Sequence, residues 1–90
     1  MYQINSTNQF EKDVKLCKKR GLKMDLLLKS ILLLEEKGKL PATYKPHKLS
    51  GNYNGFWECH IKPDWLLIWL QNDTEKQITL TRTGTHADLF

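Results

Sequence analysis

Apolar residues recur along this chain in two different rhythms. Through the first half they come at helical spacing. Phe10, Val14 and Cys17 stand at i, i+4 and i+7, which predicts an amphipathic helix over 7–20. Its other face carries Lys12, Lys15, Lys18, Lys19 and Arg20. Ser6, with Gln9 three positions on, offers the N-cap of a capping box, and Gly21 stands where a C′ glycine would end the helix. A second helix is predicted from Met24 to Lys37, with Asp25 in the first turn, where the helix dipole favours an acid. Gly38 and Pro41 stop it. Leu26, Leu27, Leu28, Ile31, Leu32, Leu33 and Leu34 make this helix apolar nearly all round, so it is covered on more than one side. The simpler expectation is core between the first helix and a sheet. The alternative is a stripe that awaits a partner protein.

From residue 56 the rhythm changes to that of strands. Phe56 to Ile61 is the first, and Pro63-Asp64 turns the chain. Trp65 to Leu70 is apolar on both faces, which predicts a central strand. Asn72-Asp73-Thr74 marks a hairpin turn. Gln77 to Thr83 alternates, with Ile78 and Leu80 on one face and Thr79 and Thr81 on the other. Residues 2–5 predict a further short strand. Residues 41–55, punctuated by Pro41, Pro46, Gly51 and Gly55, are predicted as loop. Strands joined by short turns run antiparallel. The expectation is an α+β fold: one domain over residues 1–90, with two N-terminal helices packed on one face of an antiparallel sheet.

Charge adds a polarity to this picture. Residues 1–48 hold eleven Lys/Arg and five Asp/Glu, whereas residues 49–90 hold three and five. The basic half is readable as a docking surface for a polyanion, or as an ordinary solvated helix face. Cys17 and Cys59 fall at predicted core positions and read as small buried hydrophobes in a reducing compartment. There is no Cys-x-x-Cys pair to suggest structural zinc. The first residues show no basic region followed by an apolar one. Leu26 to Leu34 is too short to span a bilayer and is interrupted by Lys29 and Ser30. A cytoplasmic protein without a membrane partner is expected.

All three histidines lie in the second half, each beside other reactive groups. His47 sits in Tyr44-Lys45-Pro46-His47-Lys48, His60 precedes Asp64 by four residues, and His86 closes Arg82-Thr83-Gly84-Thr85-His86. The hairpin between the first two strands of the trio brings His60 and Asp64 to one sheet edge, and alternating strand directions can bring Arg82 and His86 there too. RNA carries its own nucleophile, the 2′-OH. Cleaving it needs a base, a cation for the phosphate and an acid for the departing 5′-oxygen. Histidine titrates near neutrality and serves as either base or acid. Arginine fits a phosphate through parallel donors. Trp65 and Phe90 could stack on unpaired bases. Taken singly, each residue has a plainer reading: surface histidines, a turn aspartate, a core tryptophan. No pair of histidines has the helical i, i+4 spacing of a metal motif, so neither a metal nor a cofactor is expected.

The same residues carry a resemblance. Phe10-Glu11-Lys12-Asp13-Val14-Lys15, then His47-Lys48-Leu49-Ser50-Gly51, then Glu58-Cys59-His60-Ile61-Lys62-Pro63-Asp64-Trp65-Leu66-Leu67-Ile68 and Arg82 to Phe90 come in order across nearly the whole chain. In these blocks the chain resembles the YafQ branch of the RelE/ParE toxin superfamily. The resemblance implies a RelE-like fold with a curved antiparallel sheet. It implies a toxin of a type II toxin–antitoxin system that enters the ribosomal A site and cuts mRNA without a metal. It also implies a cognate antitoxin, with operator DNA bound only by the complex of the two. The family's functional positions fall on His47, His60, Asp64, Trp65, Arg82, His86 and Phe90. Together with the residue chemistry, this assigns activation of the 2′-OH to His60 with Asp64, His47 assisting. It assigns the phosphate to Arg82 and the general acid to His86, while the division of labour among the histidines stays open. Lys15, Lys18 and Lys19 would contact ribosomal RNA. Two other roles fit the same superfamily: a non-enzymatic ParE-like toxin, or a regulator that binds DNA with its antitoxin.

Overall fold

The structure, a computed structural model, describes residues 1–90. The chain runs β1 (Gln3–Ser6), α1 (Asn8–Lys19), α2 (Met24–Lys37), β2 (His47–Lys48), β3 (Trp57–Lys62), β4 (Trp65–Asn72), β5 (Gln77–Gly84) and α3 (His86–Leu89), with single 3₁₀ turns at Ala42–Tyr44 and Gly51–Tyr53. The strands form one sheet in the order β1-β5-β4-β3-β2. The trio β3–β4–β5 is antiparallel, as its short turns require, and β4 is central. The sheet as a whole is mixed, because β1 adds to β5 in parallel. That pairing is made possible by the long helical excursion that follows β1.

The first helix starts one residue later than the capping-box pattern places it. Ser6 is still held in the sheet opposite Leu80. Thr7 is the first residue past that pairing, and its hydroxyl accepts from the Phe10 N–H at 3.0 Å. The Ser6 hydroxyl donates instead to the Glu11 carboxylate, 2.5 Å away. At the other end Gly21 takes φ 84°, a conformation that glycine adopts without strain. The second helix ends at Gly38 in the same left-handed region.

Strand alternation gives the sheet two different faces. Trp65, Leu67 and Trp69 of β4 join Cys59, Ile78 and Leu80 beneath Phe10, Cys17, Leu27 and Leu34 of the helices, and this is the main core. Burying a side chain of this size contributes about 2–3 kcal/mol. The opposite face carries a smaller cluster, Leu66, Ile68 and Leu89, with Leu49, Tyr53 and Phe56 around it. On α2 the apolar ring is split. Leu27 and Leu34 are core, whereas Leu28 and Leu32 stay more than half exposed. No helix is long and apolar enough to cross a membrane.

One irregularity decides what the second face displays. Ile68 pairs with Arg82 but Trp69 pairs with Leu80, so β5 carries one extra residue, Thr81. Simple alternation would place Arg82 with Ile78 and Leu80, facing the helices. The bulge reverses the alternation and puts Arg82 in register with Ile68, on the other face.

Candidate active site

Paired residues in adjacent strands share a face. His47, Glu58, Ile68 and Arg82 form one row across four strands, and His60, Leu66 and Gly84 form the next. The loop predicted over 41–55 thus contributes a two-residue edge strand, and His47 stands in it. The Pro63–Asp64 turn and the start of α3 then bring Asp64 and His86 to the same end of the sheet. The imidazole centroids lie 6.4 Å apart for His47 and His60 and 5.8 Å apart for His60 and His86. Three histidines that are distant in sequence therefore stand together, His60 next to each of the others.

The carboxylates are shared out differently from the sequence expectation. Asp64 serves His86, not His60. Its Oδ1 accepts the His86 backbone N–H at 2.9 Å and lies 2.6 Å from the ring Nδ1. These two contacts, the backbone one first, hold the Asp64 carboxyl below its ordinary range. Asp64 is therefore ionised at neutral pH and can only accept, so Nδ1 carries the proton and Nε2 is the free nitrogen. The carboxylate near His60 is Glu58, whose Oε1 is 3.9 Å from His60 Nε2 and 3.1 Å from His47 Nε2.

The short helix α3 fixes His86. Thr85 and Asp88 form a reciprocal capping box. Asp88 is also gripped by Arg20 at 2.6 Å and 3.2 Å, a fork that ties α3 to the end of α1. The Arg20 guanidinium, followed by the Thr85 backbone, pulls the Asp88 carboxyl down to about 2.

Arg82 is anchored from behind. Its Nε donates to Asp13 of α1 at 2.7 Å and one Nη donates at 3.3 Å, while Asp13 also accepts the Thr83 N–H. Bonding to Asp13 raises the guanidinium above its usual value, and Tyr53 adds to this. Arg82 lies two strands away from Glu58 in the same row, about 10 Å, and is one row off from His60. Phe90 is exposed and meets Tyr53 edge-on at 5.5 Å, on the Arg82 side of the face.

Trp65 is a correction. It is 2% exposed, on the helical side of the sheet, and its indole donates to the Thr83 hydroxyl at 3.0 Å. It cannot stack on a base, because the alternation that turns Leu66 and Ile68 to the histidine side of the sheet turns Trp65 into the main core. Lys15, Lys18 and Lys19 are exposed on α1.

Several residues of the site escaped the sequence reading, and all but one of them had a signal. Glu58 is two residues before His60 in a strand, hence on the same face. Asp13 is an acid inside the apolar stripe of Phe10, Val14 and Cys17. Thr85-His86-Ala87-Asp88 has capping-box spacing. Tyr53 had no signal.

A cavity of about 320 Å³ opens beside His60, walled by Thr43, Lys45, Ile61, Lys62 and Pro63. Its two lysines suit an anion. A larger cavity, about 490 Å³, lies over Trp57 and Trp69, away from the histidines; Tyr2, Gln71 and Asp73 in its wall hydrogen-bond one another. No group of three or more His, Cys, Asp or Glu side chains is disposed to hold a metal ion.

The family described as the bacterial toxin of type II toxin–antitoxin system, YafQ, matches residues 2–90. The mRNA interferase toxin YafQ of Escherichia coli (strain K12) is 43% identical over 88 residues, covering 97% of this chain and 94% of the relative. Toxin structures superpose closely. The crystal structure of the E. coli DinJ-YafQ complex gives a TM-score of 0.90 at 42% identity, covering 100% of this chain and 99% of that one. The crystal structure of a metal-bound toxin from Helicobacter pylori gives 0.90 at 38% identity, covering all of both chains.

Proposed function

The chain belongs to the YafQ family of bacterial toxins of type II toxin–antitoxin systems, and from that premise we propose that it is an mRNA interferase that cuts translated messages on the ribosome by acid–base catalysis. The observation that carries the reading is the cluster of three neighbouring imidazoles, each with a carboxylate within 4 Å, on a face that also presents an arginine. A pure binding module has no use for such a set.

The reaction follows from these positions. His60 takes the proton from the ribose 2′-OH, and the 2′-oxygen attacks the adjacent phosphorus. The P–O5′ bond breaks. His86, whose ring Asp64 holds at Nδ1, delivers a proton to the departing 5′-oxygen. The Arg82 guanidinium, held from behind by Asp13, faces the negative charge that grows on the phosphate. The products are a 2′,3′-cyclic phosphate, or the 3′-phosphate it hydrolyses to, and a 5′-OH. Phe90, with Tyr53 behind it, offers an exposed ring to a neighbouring base. Because RNA supplies the nucleophile and histidines carry the protons, the cycle needs no metal. The partners that fit are a ribosome carrying message in its A site and an antitoxin like the one in the DinJ-YafQ complex. Operator DNA would be contacted only through the antitoxin complex. These partners would place the protein in the cytoplasm.

Primer extension on a translated and an untranslated copy of one message tests the proposal. Breaks at in-frame positions of the translated copy alone are expected. Equal cutting of both copies, or none, refutes it. Chelator in the reaction should leave the rate unchanged, and loss of cleavage on chelation would assign the chemistry to a metal.

A further inference from the structure

The cavity over Trp57 and Trp69 lies on the helical side of the sheet, and the proposed cleavage uses nothing in it. At about 490 Å³ it falls in the ordinary size range of small-ligand sites. Part of its lining is aromatic. The Trp57 and Trp69 rings stack with centroids 6.2 Å apart. Trp69 is sealed in the core, whereas Trp57 is only half-buried. The rest is a fixed polar set. The Trp69 indole donates to Gln71 Oε1 at 2.9 Å. Gln71 Nε2 donates to the Gly38 carbonyl at 2.7 Å and to Asp73 Oδ1 at 2.8 Å. Tyr2 donates to the same Oδ1 at 2.7 Å, and a Cβ at Gly38 would strike its ring. These two donors, Gln71 first, hold the Asp73 carboxyl below its ordinary range. Its Oδ2 has no partner in the protein.

Lysines surround this lining. Lys37 and Lys39 belong to it and are exposed. Lys48 Nζ lies 5.7 Å from the Trp57 ring centroid and Lys76 Nζ 5.2 Å from that of Tyr2, both within cation–π range. Asp73 is the one acid in the lining. An indole face, a carboxylate oxygen that can only accept, and several cations together match a nucleotide. The base stacks on Trp57, a base N–H meets Asp73, and the phosphate lies among the lysines. An acidic peptide would answer the lysines and leave the indole and Asp73 unmatched. The position of the cavity indicates which nucleotide. Strand β2 is the edge of the sheet and is two residues long. His47 pairs with Glu58 on the histidine face, Lys48 pairs with Trp57 on the other, and Pro46 before them lines the cavity. The two sites thus lie back to back across one narrow edge, and a single RNA strand folded over it can touch both.

We propose that this cavity holds one unpaired nucleotide of the same RNA strand that is cut on the histidine face. The shared strand rests on the cleavage reading above, whereas nucleotide binding by the cavity does not. Two titrations of the full chain, followed by indole and imidazole ¹⁵N resonances, decide the matter. One uses AMP, which has no linkage to cut. The other uses an octamer of 2′-O-methyladenosine, whose 2′-oxygen cannot attack. AMP should move the indole resonance of Trp57 and leave that of Trp65 in place. The octamer should move the resonances of Trp57 and His60 together and bind at least about 10-fold more tightly than AMP. Trp57→Ala should weaken octamer binding about 5–150-fold. Should that variant fold poorly, Lys37→Glu combined with Lys39→Glu changes only exposed side chains; it should weaken the octamer and flatten its salt dependence. A Trp57 resonance that neither ligand moves overturns the site, as does octamer binding unchanged in a folded variant of either kind. His60 unmoved while Trp57 moves overturns the shared strand and leaves the cavity a nucleotide site. Loss of in-frame cutting in the primer-extension test would instead remove the cleavage reading and leave the Trp57 result standing.

Discussion

Trp65 shows how far a residue's environment can overrule its type. A tryptophan next to a catalytic-looking aspartate invites a stacking role, yet it is sealed into the core with its N–H on Thr83. Trp65→Ala should therefore lower stability by about 3–5 kcal/mol, seen as a large drop in Tm. A tryptophan that only touched bases would leave Tm unmoved and weaken RNA binding alone. The reactive set itself was legible by residue type, because three histidines, an arginine and an aspartate announce acid–base chemistry. The pairing was not. Asp64 is four residues from His60 and twenty-two from His86, and sequence distance favours the first. The turn and the α3 cap bring the second into contact.

At the scale of elements, four residues of helix carry one of the proposed catalytic histidines. A helix so short has little stability of its own, so α3 depends on its cap and on the Arg20 fork. Asp88 serves both. Its carboxyl sits at about 2, below the ordinary 3.8. A depressed acid contributes stability that is present above its unfolded value and lost as pH falls through its folded one. The contribution should therefore fade between about pH 4 and pH 2. For a partly exposed pair it amounts to about 1 kcal/mol after solvent screening. Amide exchange in α3 should rise across that window, and Asp88→Asn should show the faster exchange already at pH 6. Exchange in α3 that is equal in the two proteins at pH 6 would contradict this anchor. Gly84 belongs to the same device, since a Cβ there would come within 2.8 Å of the Asp88 carboxylate. The two long helices were readable from their periodicity and glycine stops. The bulge at Thr81 was not, because nothing in Thr79-Leu80-Thr81-Arg82 marks an extra residue, and the orientation of Arg82 depends on it.

The molecule as a whole separates charge from chemistry. The imidazoles line one face of the sheet, while Lys15, Lys18 and Lys19 stand on α1, a helix that packs on the other. On the reading proposed here the lysines hold ribosomal RNA while the histidines meet the message. Replacing all three by Glu should weaken binding to ribosomes and make the affinity fall less steeply with salt. The cutting of message already bound should be little affected. An unchanged salt dependence would remove this helix from the docking surface. The antiparallel trio was legible because short turns dictate it, whereas the parallel β1–β5 pair joins residues more than seventy positions apart and has no local signature. The exposed pair Leu28 and Leu32 likewise shows that the all-apolar α2 serves the core along one stripe only. The most direct test of the whole account is a single-turnover cleavage of end-labelled message on programmed ribosomes, in the presence of chelator, by the wild type and by His86→Ala. One cut leaving a cyclic phosphate and a 5′-OH is expected, slowed at least about 100-fold in the variant. An undiminished rate in His86→Ala, or a 5′-phosphate on the product, would contradict it.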